Sequence, residues 1–187
     1  MPDPIAEWHA EHRKFAQLLS LLERELDVFH LGEHPNYELM NDIVSYLHQF
    51  ADQVHHPRED VAFARLVGRD PDIELLINRL KQEHRVITIA GDELLKYLDE
   101  ASSDVLIPRA ELEAAAATFL VYYRNHLNVE ERKIMPLAAR HLSKEDWAAV
   151  SAAVANRPDP LFGENVDVRF EELRRQIDRE AAVSLRG

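Results

Sequence analysis

The sequence contains no cysteine. This absence excludes disulfides, thiolate-bound zinc and iron–sulfur clusters held by this chain. Glycine is also scarce, at five residues. Most segments are instead rich in Ala, Leu, Glu and Arg, which favour helices. The composition therefore predicts an all-α fold, and it leaves nitrogen and oxygen atoms as the only strong metal ligands.

Positive charge is in short supply as well. The chain has 22 basic and 34 acidic residues, a net charge of −12, and no basic block, so we expect it to bind neither nucleic acid nor an anionic membrane surface. Residues 1–12 lack the basic and apolar regions of a signal peptide. The longest nearly continuous apolar run, 114–123, is far shorter than the roughly 18 residues that a membrane-spanning helix needs. We expect a cytoplasmic protein, whose protein partners the sequence does not identify.

Apolar residues recur at helical spacing in four long segments. They predict helices over about 4–31, 37–66, 71–100 and from 108 to beyond 131. The stretch "GEHPN" separates the first two, and Pro71 and Pro108 suit the first turns of the last two. Because the connections are short, we predict an up-and-down antiparallel four-helix bundle over about 4–141.

A helical tail is predicted after the bundle, over about 143–185. Ser143 and Asp146 form a candidate capping box before a short helix with Trp147 and Val150. A turn at 156–163 precedes a last helix over about 165–183, whose apolar residues are Val168, Leu173 and Ile177. The tail has too little apolar surface to fold alone, so we expect it to pack on the bundle. Residues 1–187 are therefore predicted to form a single domain.

The stretch "HHPRED" at 55–60 contains two overlapping pairs of a histidine and an acid four residues apart. One such pair is weak evidence for a metal site, because solvated helix faces often contain it. The spacing along the chain is more specific. "EHR" occurs at 11–13 and again at 83–85, and His55 follows His12 by 43 residues as His126 follows His84 by 42. A histidine followed by a distant His-x-x-x-Glu thus occurs twice, which indicates an internal duplication of a helix pair.

Helical geometry allows the repeated residues to converge. Residues four apart lie about 40° apart around a helix and one turn along it, so His55 with Glu59, and His126 with Glu130, can face one point between the helices. Glu131 lies about 140° from His126, which makes Glu130 the better candidate. The predicted metal ligands are His12, His55, Glu59, His84, His126 and Glu130.

This donor set suits two first-row metal ions, with each carboxylate bridging the ions and two histidines on each. Iron is the first choice, with zinc and manganese as alternatives. The opposing interpretation is a set of half-buried histidines and surface ion pairs. Regular helical geometry turns His56 and Asp60 about 100° away from the first pair, so they are predicted to be supporting or surface residues. The histidines outside the register are predicted to lie on the surface: His9, His30, His34 and His141.

Four motifs carry a resemblance to a known family: "EHRKF" around His12, "HHPREDVAF" at 55–63, "EHRVI" around His84 and "HLNVEERKIMP" at 126–136. The chain resembles the hemerythrin-like family, in particular its bacterial HHE cation-binding branch. The resemblance implies a four-helix bundle around a non-haem di-iron centre with an oxo or hydroxo bridge. By position, its ligands are the same six residues.

The chain differs from the oxygen-carrying hemerythrins at two positions. They have a second histidine one turn after the first on the third helix, where this chain has Thr88, and their fourth-helix carboxylate follows the histidine by five residues rather than four. The ligand set looks more like that of members which respond to nitric oxide or repair iron–sulfur clusters. Those members have an added cysteine-containing domain that this sequence does not include.

Two functions follow from these expectations. The first is a di-iron protein that binds or reacts with dioxygen, peroxide or nitric oxide under oxidative or nitrosative stress. The second is a metal- or redox-dependent sensor without turnover; a purely structural metal is a third interpretation. Tyr122, one turn before His126, is a candidate hydrogen-bond donor to a bound oxygen species or, alternatively, an ordinary core tyrosine.

Overall fold

The computed structural model describes residues 3–69, 73–103, 108–154 and 157–184. All regular secondary structure in these ranges is helical, which confirms the predicted all-α class. The α-helices are α1 Pro4–His30, α2 Tyr37–Tyr46, α3 His56–Leu66, α4 Ile73–Ser102, α5 Arg109–Val129, α6 Met135–His141, α7 Lys144–Ala152 and α8 Glu171–Ser184. Leu47–His55 and Glu130–Ile134 are π-helical, and Val168–Phe170 is a 3-10 turn.

Capping side chains and a glycine mark the ends of the first helices. Asp3 caps α1 by accepting a hydrogen bond from the Ile5 amide at 3.1 Å, and Asn36 caps α2 in the same way. Gly32 follows α1 with a φ of 80°, a left-handed conformation that favours glycine. The predicted helix start at Pro71 and part of the predicted loop at 101–108 lie outside the described residues.

Pro57 interrupts the predicted second helix without ending it. Proline has no amide hydrogen, so the regular bond to residue 53 is lost. The chain compensates with a wider turn, in which the His56 amide bonds to the carbonyl oxygen of Ala51, five residues back. Met135, which precedes Pro136, makes the same type of bond to Glu130. The widened turn predicted at Pro57 is therefore confirmed, and a second one lies at the end of α5.

The bundle forms because α1 packs against α2 and α5, and α4 packs against the same two helices. Its interior contains two apolar clusters. One holds Phe15, Tyr46 and Leu94, and the other, toward the opposite end, holds Trp8 and Phe63. Each burial of a large apolar side chain contributes about 1.5–3 kcal/mol. Between the two clusters lies a band of buried histidines and glutamates, so the polar band is surrounded by packed apolar side chains.

The tail packs on the bundle, as predicted. The capping box of Ser143 and Asp146 is present, and Trp147 packs edge-on against Trp8 with ring centroids 5.2 Å apart. The last helix differs from its prediction: a 3-10 turn precedes α8, and Val168 is exposed while Phe170 is fully buried. Asp167 caps this turn by accepting a hydrogen bond from the Arg169 amide. The turn directs Phe170, and not Val168, toward the interior. Residue 156, at the start of the predicted turn, lies outside the described residues.

Candidate metal centre

All six residues predicted as metal ligands lie in the polar band. Their side chains are buried, each with at most 7% of its surface exposed. The four histidines come from four different parts of the bundle: His12 from α1, His55 from the end of the first π-helical segment, His84 from α4 and His126 from α5. The structure therefore brings together the residues that the repeated register selected.

The Nε2 atoms of the histidines point toward one another and toward the two glutamates. His12 Nε2 lies 3.0 Å from His55 Nε2. His55 Nε2 lies 3.0 Å from Glu59, and His126 Nε2 lies 3.1 Å from Glu130. Each predicted His-x-x-x-Glu pair thus faces a common interior point, including the pair that spans Pro57.

The two glutamates also reach across the centre. Glu59 lies 3.4 Å from His12 Nε2 with one carboxylate oxygen and 3.5 Å from His84 Nε2 with the other. Glu130 contacts the same two histidines at 3.7 and 3.8 Å, again with one oxygen each. Each of the two carboxylates therefore lies between a histidine of α1 and a histidine of α4.

A second carboxylate faces the outer nitrogen, Nδ1, of each of these histidines. His12 Nδ1 hydrogen-bonds Glu131 at 2.9 Å, and His55 Nδ1 hydrogen-bonds Glu11 at 2.5 Å. His84 Nδ1 lies 3.3 Å from Asp60, and His126 Nδ1 lies 3.4 Å from Glu83, at angles that depart from a hydrogen bond. The outer carboxylates are Glu11, Asp60, Glu83 and Glu131. Histidines that bind metals almost always donate their other ring N–H to such a partner.

In the neutral imidazoles this pattern favours the tautomer with the proton on Nδ1, and it tests whether the residues fit a metal. With Nδ1–H directed at a carboxylate, the lone pair of Nε2 points inward. The Nε2 atoms of His84 and His126 and both oxygens of Glu130 have no hydrogen-bond partner within the described ranges. Buried polar atoms are nearly always hydrogen-bonded. Nitrogen and oxygen atoms that face inward without such a partner therefore fit a site for a bound cation.

The electrostatics of the band agree with this fit. Burial alone would lower the pKa of His12 and His84, but their carboxylate neighbours raise the two values to about 10 and about 11. Burial and Glu59 alone would raise the pKa of Glu130, but His126 and His84 lower it to about 2. The buried carboxylates are therefore stable only beside positive charge, which protonated imidazoles or metal cations can supply.

Sequence reasoning missed three kinds of residue here. His56 is not on the surface, one of its two predicted places: it is buried and stacks on His84 with ring centroids 4.2 Å apart. Asp60 faces His84, which agrees with a supporting residue, whereas the role of Glu131 as an outer carboxylate was not predicted. Glu11 and Glu83 were overlooked, although each is the first letter of the repeated "EHR". That repeat was the signal that would have found them.

Tyr122 is not placed as expected. Its side chain is 41% exposed, whereas the neighbouring Tyr123 is fully buried. The Tyr123 hydroxyl has no hydrogen-bond partner in the described part of the chain, and its ring lies 6.0 Å from that of His56. Tyr123, and not Tyr122, is the tyrosine beside the centre.

The centre is close to the protein surface on one side. A pocket of about 510 Å³ between α1 and α5 is lined by His12 and Glu131, together with His9, Arg124 and Arg132. His9 was predicted to be a surface residue; it is partly exposed and pairs with Glu131 at 2.6 Å. A small molecule entering this pocket would reach the histidine-bearing face of α1.

No described helix is long and apolar enough to cross a lipid bilayer. A comparison with curated proteins and with solved structures gives no match to the chain. A family model, the Hemerythrin HHE cation binding domain, matches residues 3–138. This range covers most of the chain, including every residue of the polar band. The buried histidines and glutamates fit a metal site, and the chain belongs to the hemerythrin HHE cation-binding family.

Proposed function

We propose that the chain holds two iron ions in the polar band and binds or reacts with a small oxidant, namely dioxygen, peroxide or nitric oxide. The observation that carries this proposal is the orientation of the histidines, whose Nε2 atoms face inward while a carboxylate faces each Nδ1. The proposed ligands are His12, His55, Glu59, His84, His126 and Glu130.

The donor chemistry favours iron. Imidazole and carboxylate donors without thiolate form a common ligand set for non-haem iron, and the chain has no cysteine. The two shared glutamates support a pair of ions rather than one, because each faces histidines on both sides of the band. When bound, such a pair supplies Lewis-acid and redox chemistry to a small ligand.

The chain's own residues would control the ligand. The apolar clusters on both sides exclude bulk water from the band, and the pocket between α1 and α5 gives a short entry route. The Tyr123 hydroxyl, buried and without a hydrogen-bond partner among the described residues, can donate its proton in a hydrogen bond to a ligand oxygen.

The experiment is to load the metal-free protein with ferrous iron without oxygen, remove unbound metal and measure iron per chain. We expect two ions per chain and, on exposure to dioxygen or peroxide, a new near-ultraviolet absorption band. Consumption of peroxide over repeated additions would show turnover. A protein that takes up no iron under these conditions would contradict the proposal.

A sensor without turnover is the second candidate, and one contact favours it. The Trp8 ring packs against both His55 and Trp147 of α7, with ring centroids 6.1 and 5.2 Å apart. A movement of His55 can therefore displace Trp8 and, through it, the tail. Limited proteolysis of the metal-free and iron-loaded forms tests this candidate. We expect a different cleavage rate in the tail only if metal binding alters the packing of α7.

A further inference from the structure

His56 has the surroundings of a ligand although regular helical geometry directs it elsewhere. Only 4% of its surface is exposed. Donor atoms of His56, Glu59, His84 and His126 all lie within 4.8 Å of one another, and the rings of His56 and His126 are 5.5 Å apart. Four donors this close together are within reach of a single ion.

Asp52 holds His56 in the orientation of the other histidines. One Asp52 oxygen lies 3.1 Å from His56 Nδ1, at an angle that departs from a hydrogen bond, as at His84 and His126. The other oxygen accepts a hydrogen bond from the Thr88 hydroxyl at 2.9 Å and lies 3.1 Å from His48 Nδ1. A carboxylate fixed from the far side in this way favours the tautomer with the proton on Nδ1, which leaves the Nε2 lone pair of His56 free.

The outer carboxylate makes His56 equivalent to the four histidines already proposed as ligands. Each of those histidines has a carboxylate within 3.4 Å of Nδ1, and so does His56. Chance does not explain the same partner at every histidine of the band. The common pattern is the one that metal-binding histidines show.

A role in packing alone does not account for His56. Its Nε2 atom has no hydrogen-bond partner among the described residues. A buried polar atom left unpaired costs about 1–3 kcal/mol. Binding a cation through Nε2 removes that cost.

We propose that His56 is a fifth histidine ligand of the metal centre and that Asp52 is its positioning residue. The proposal rests on the metal centre of the proposed function. It gives one metal position the imidazoles of His56, His84 and His126, and it leaves His12 and His55 for the other. The two ions then have different surroundings and are expected to bind with different affinities.

The experiment uses cobalt(II) as a paramagnetic probe in the full-length protein. The Nδ1–H proton of a cobalt-bound imidazole gives a strongly shifted proton NMR signal that disappears in deuterated water. We expect His56→Ala to show one such signal fewer than the unaltered protein. One of the two cobalt ions should also bind on the order of 100-fold more weakly, since a ligand matters at least as much as an outer partner.

Two further variants separate ligation from packing. Asp52→Asn keeps His56 but removes the charge facing Nδ1, and we expect it to weaken the same ion about 10-fold and shift the same signal. His34→Ala is the control, because His34 is exposed and lies outside the polar band; it should leave both ions and all signals unchanged. If His56→Ala does not fold, His56→Gln provides the same comparison.

The outcomes distinguish this proposal from the proposed function. If His56→Ala binds two cobalt ions with unaltered affinity and retains every shifted signal, His56 is not a ligand and the proposal is wrong, although the metal centre stands. If the unaltered protein binds no cobalt and no iron, the proposed function itself fails. An Asp52→Asn variant that binds both ions with the affinity of His34→Ala and keeps every signal in place would overturn the positioning role of Asp52.

Discussion

The two helix pairs of the bundle, α1 with α2–α3 and α4 with α5–α6, build matching halves of the polar band. In each pair the first helix carries a Glu-His dipeptide and the second a His-x-x-x-Glu. Glu11 precedes His12 and faces His55 of its own pair. Glu83 precedes His84 and faces His126 of its own pair. The repeated sequence thus predicts repeated contacts and not only repeated ligands.

The acids five residues after the second-helix histidines behave differently, because they cross between the pairs. Asp60 of the first pair faces His84 of the second. Glu131 of the second pair faces His12 of the first. Each pair therefore orients one of its own histidines and one belonging to the other pair, so neither pair completes its half alone.

The match fails at two positions on the second helices. His56 follows His55, but Leu127 follows His126; Asp52 precedes His55 by three residues, but Tyr123 precedes His126 by the same distance. Leu127 and Tyr123 belong to an apolar cluster, whereas His56 and Asp52 belong to the polar band. The two halves therefore share the spacing of the proposed ligands, but only the first helix pair carries an additional imidazole, that of His56.

The largest effect is expected from removing a histidine that both halves share. His55→Ala and His126→Ala should each abolish tight binding of at least one ion. They should also lower the thermal stability of the loaded protein, because ligand at 100 times its Kd stabilises a fold by about 2.7 kcal/mol. Metal analysis and thermal unfolding with and without iron measure both effects. His34→Ala, at an exposed histidine, is the control. An unchanged metal content in His126→Ala would break the equivalence of the halves.

The next effect concerns the two shared carboxylates. Glu59→Gln and Glu130→Gln should both prevent the two-ion state, because an amide cannot replace a bridging carboxylate. Iron analysis with Mössbauer spectra of the loaded variants would detect this. Asp60→Asn is the contrasting variant and should weaken binding without abolishing the pair. Loss of the two-ion spectrum only in Asp60→Asn would mean that the turn at Pro57 directs Asp60, and not Glu59, to the metals.

Removal of the outer carboxylates should have an intermediate effect. We expect Glu11→Gln and Glu83→Gln to weaken iron binding by about 10- to 100-fold, as is typical of partners of metal-binding histidines. Glu11 should have the larger effect, since it makes a hydrogen bond of 2.5 Å to His55 and is itself held by Arg58. Competition with a chelator of known affinity measures both values. A larger effect at Glu83 would contradict this order.

Tyr123→Phe tests the second helix pair, in which Tyr123 takes the position that Asp52 has in the first pair. The change removes an unpaired buried hydroxyl, so the metal-free protein should be unchanged or up to about 1 kcal/mol more stable. Metal content should not change. If Tyr123 donates a hydrogen bond to a bound oxidant, the rate of the reaction with peroxide should fall. Stopped-flow absorbance with Tyr122→Phe as the control measures that rate, and equal rates in all three proteins would exclude the role.

The smallest effect on the metal is expected at Asp146, which joins the tail to α3. The backbone amide of Ser143, then Arg65 and Arg69, hold the pKa of Asp146 below its usual value. A carboxyl with a lowered pKa stabilises the fold above its unfolded pKa, about 3.9, and this contribution is lost as the pH falls below it. Asp146→Asn should therefore destabilise the protein at pH 7, and the difference should shrink toward pH 3 in chemical unfolding. A difference independent of pH would contradict the charge-based explanation.

The sequence was sufficient for the bundle and for six converging residues, because both follow from periodicity. A register repeated along the chain places His12, His55, His84 and His126 at one level of the bundle. It was sufficient for Glu59 as well, since the widened turn at Pro57 keeps the helix continuous. The roles of these residues as ligands remain predictions that the metal experiments test.

The sequence was not sufficient for contacts that depend on local backbone geometry or on facing helices. The prediction that His56 and Asp60 are supporting or surface residues assumes a constant 100° per residue, which a π-helical turn breaks. The same rotation sets Glu131 aside as a ligand, but it gives no information on partners from facing helices, which are His12 for Glu131 and His84 for Asp60. The selection of Tyr122 instead of Tyr123 has a similar cause. A rotation of one residue around the helix decides which of the two adjacent tyrosines is buried.

The crossing of Asp60 and Glu131 has a consequence for the origin of the bundle. In a two-fold symmetric dimer, residue i of one copy contacts residue j of the other and j contacts i, which is called an isologous interface. The contacts of Asp60 with His84 and of Glu131 with His12 have this reciprocal form. The polar band is therefore equivalent to the interface of a dimer of helical hairpins joined into one chain. Because both halves belong to one chain, one of them can carry His56 where the other has Leu127, which two identical subunits of a dimer could not do.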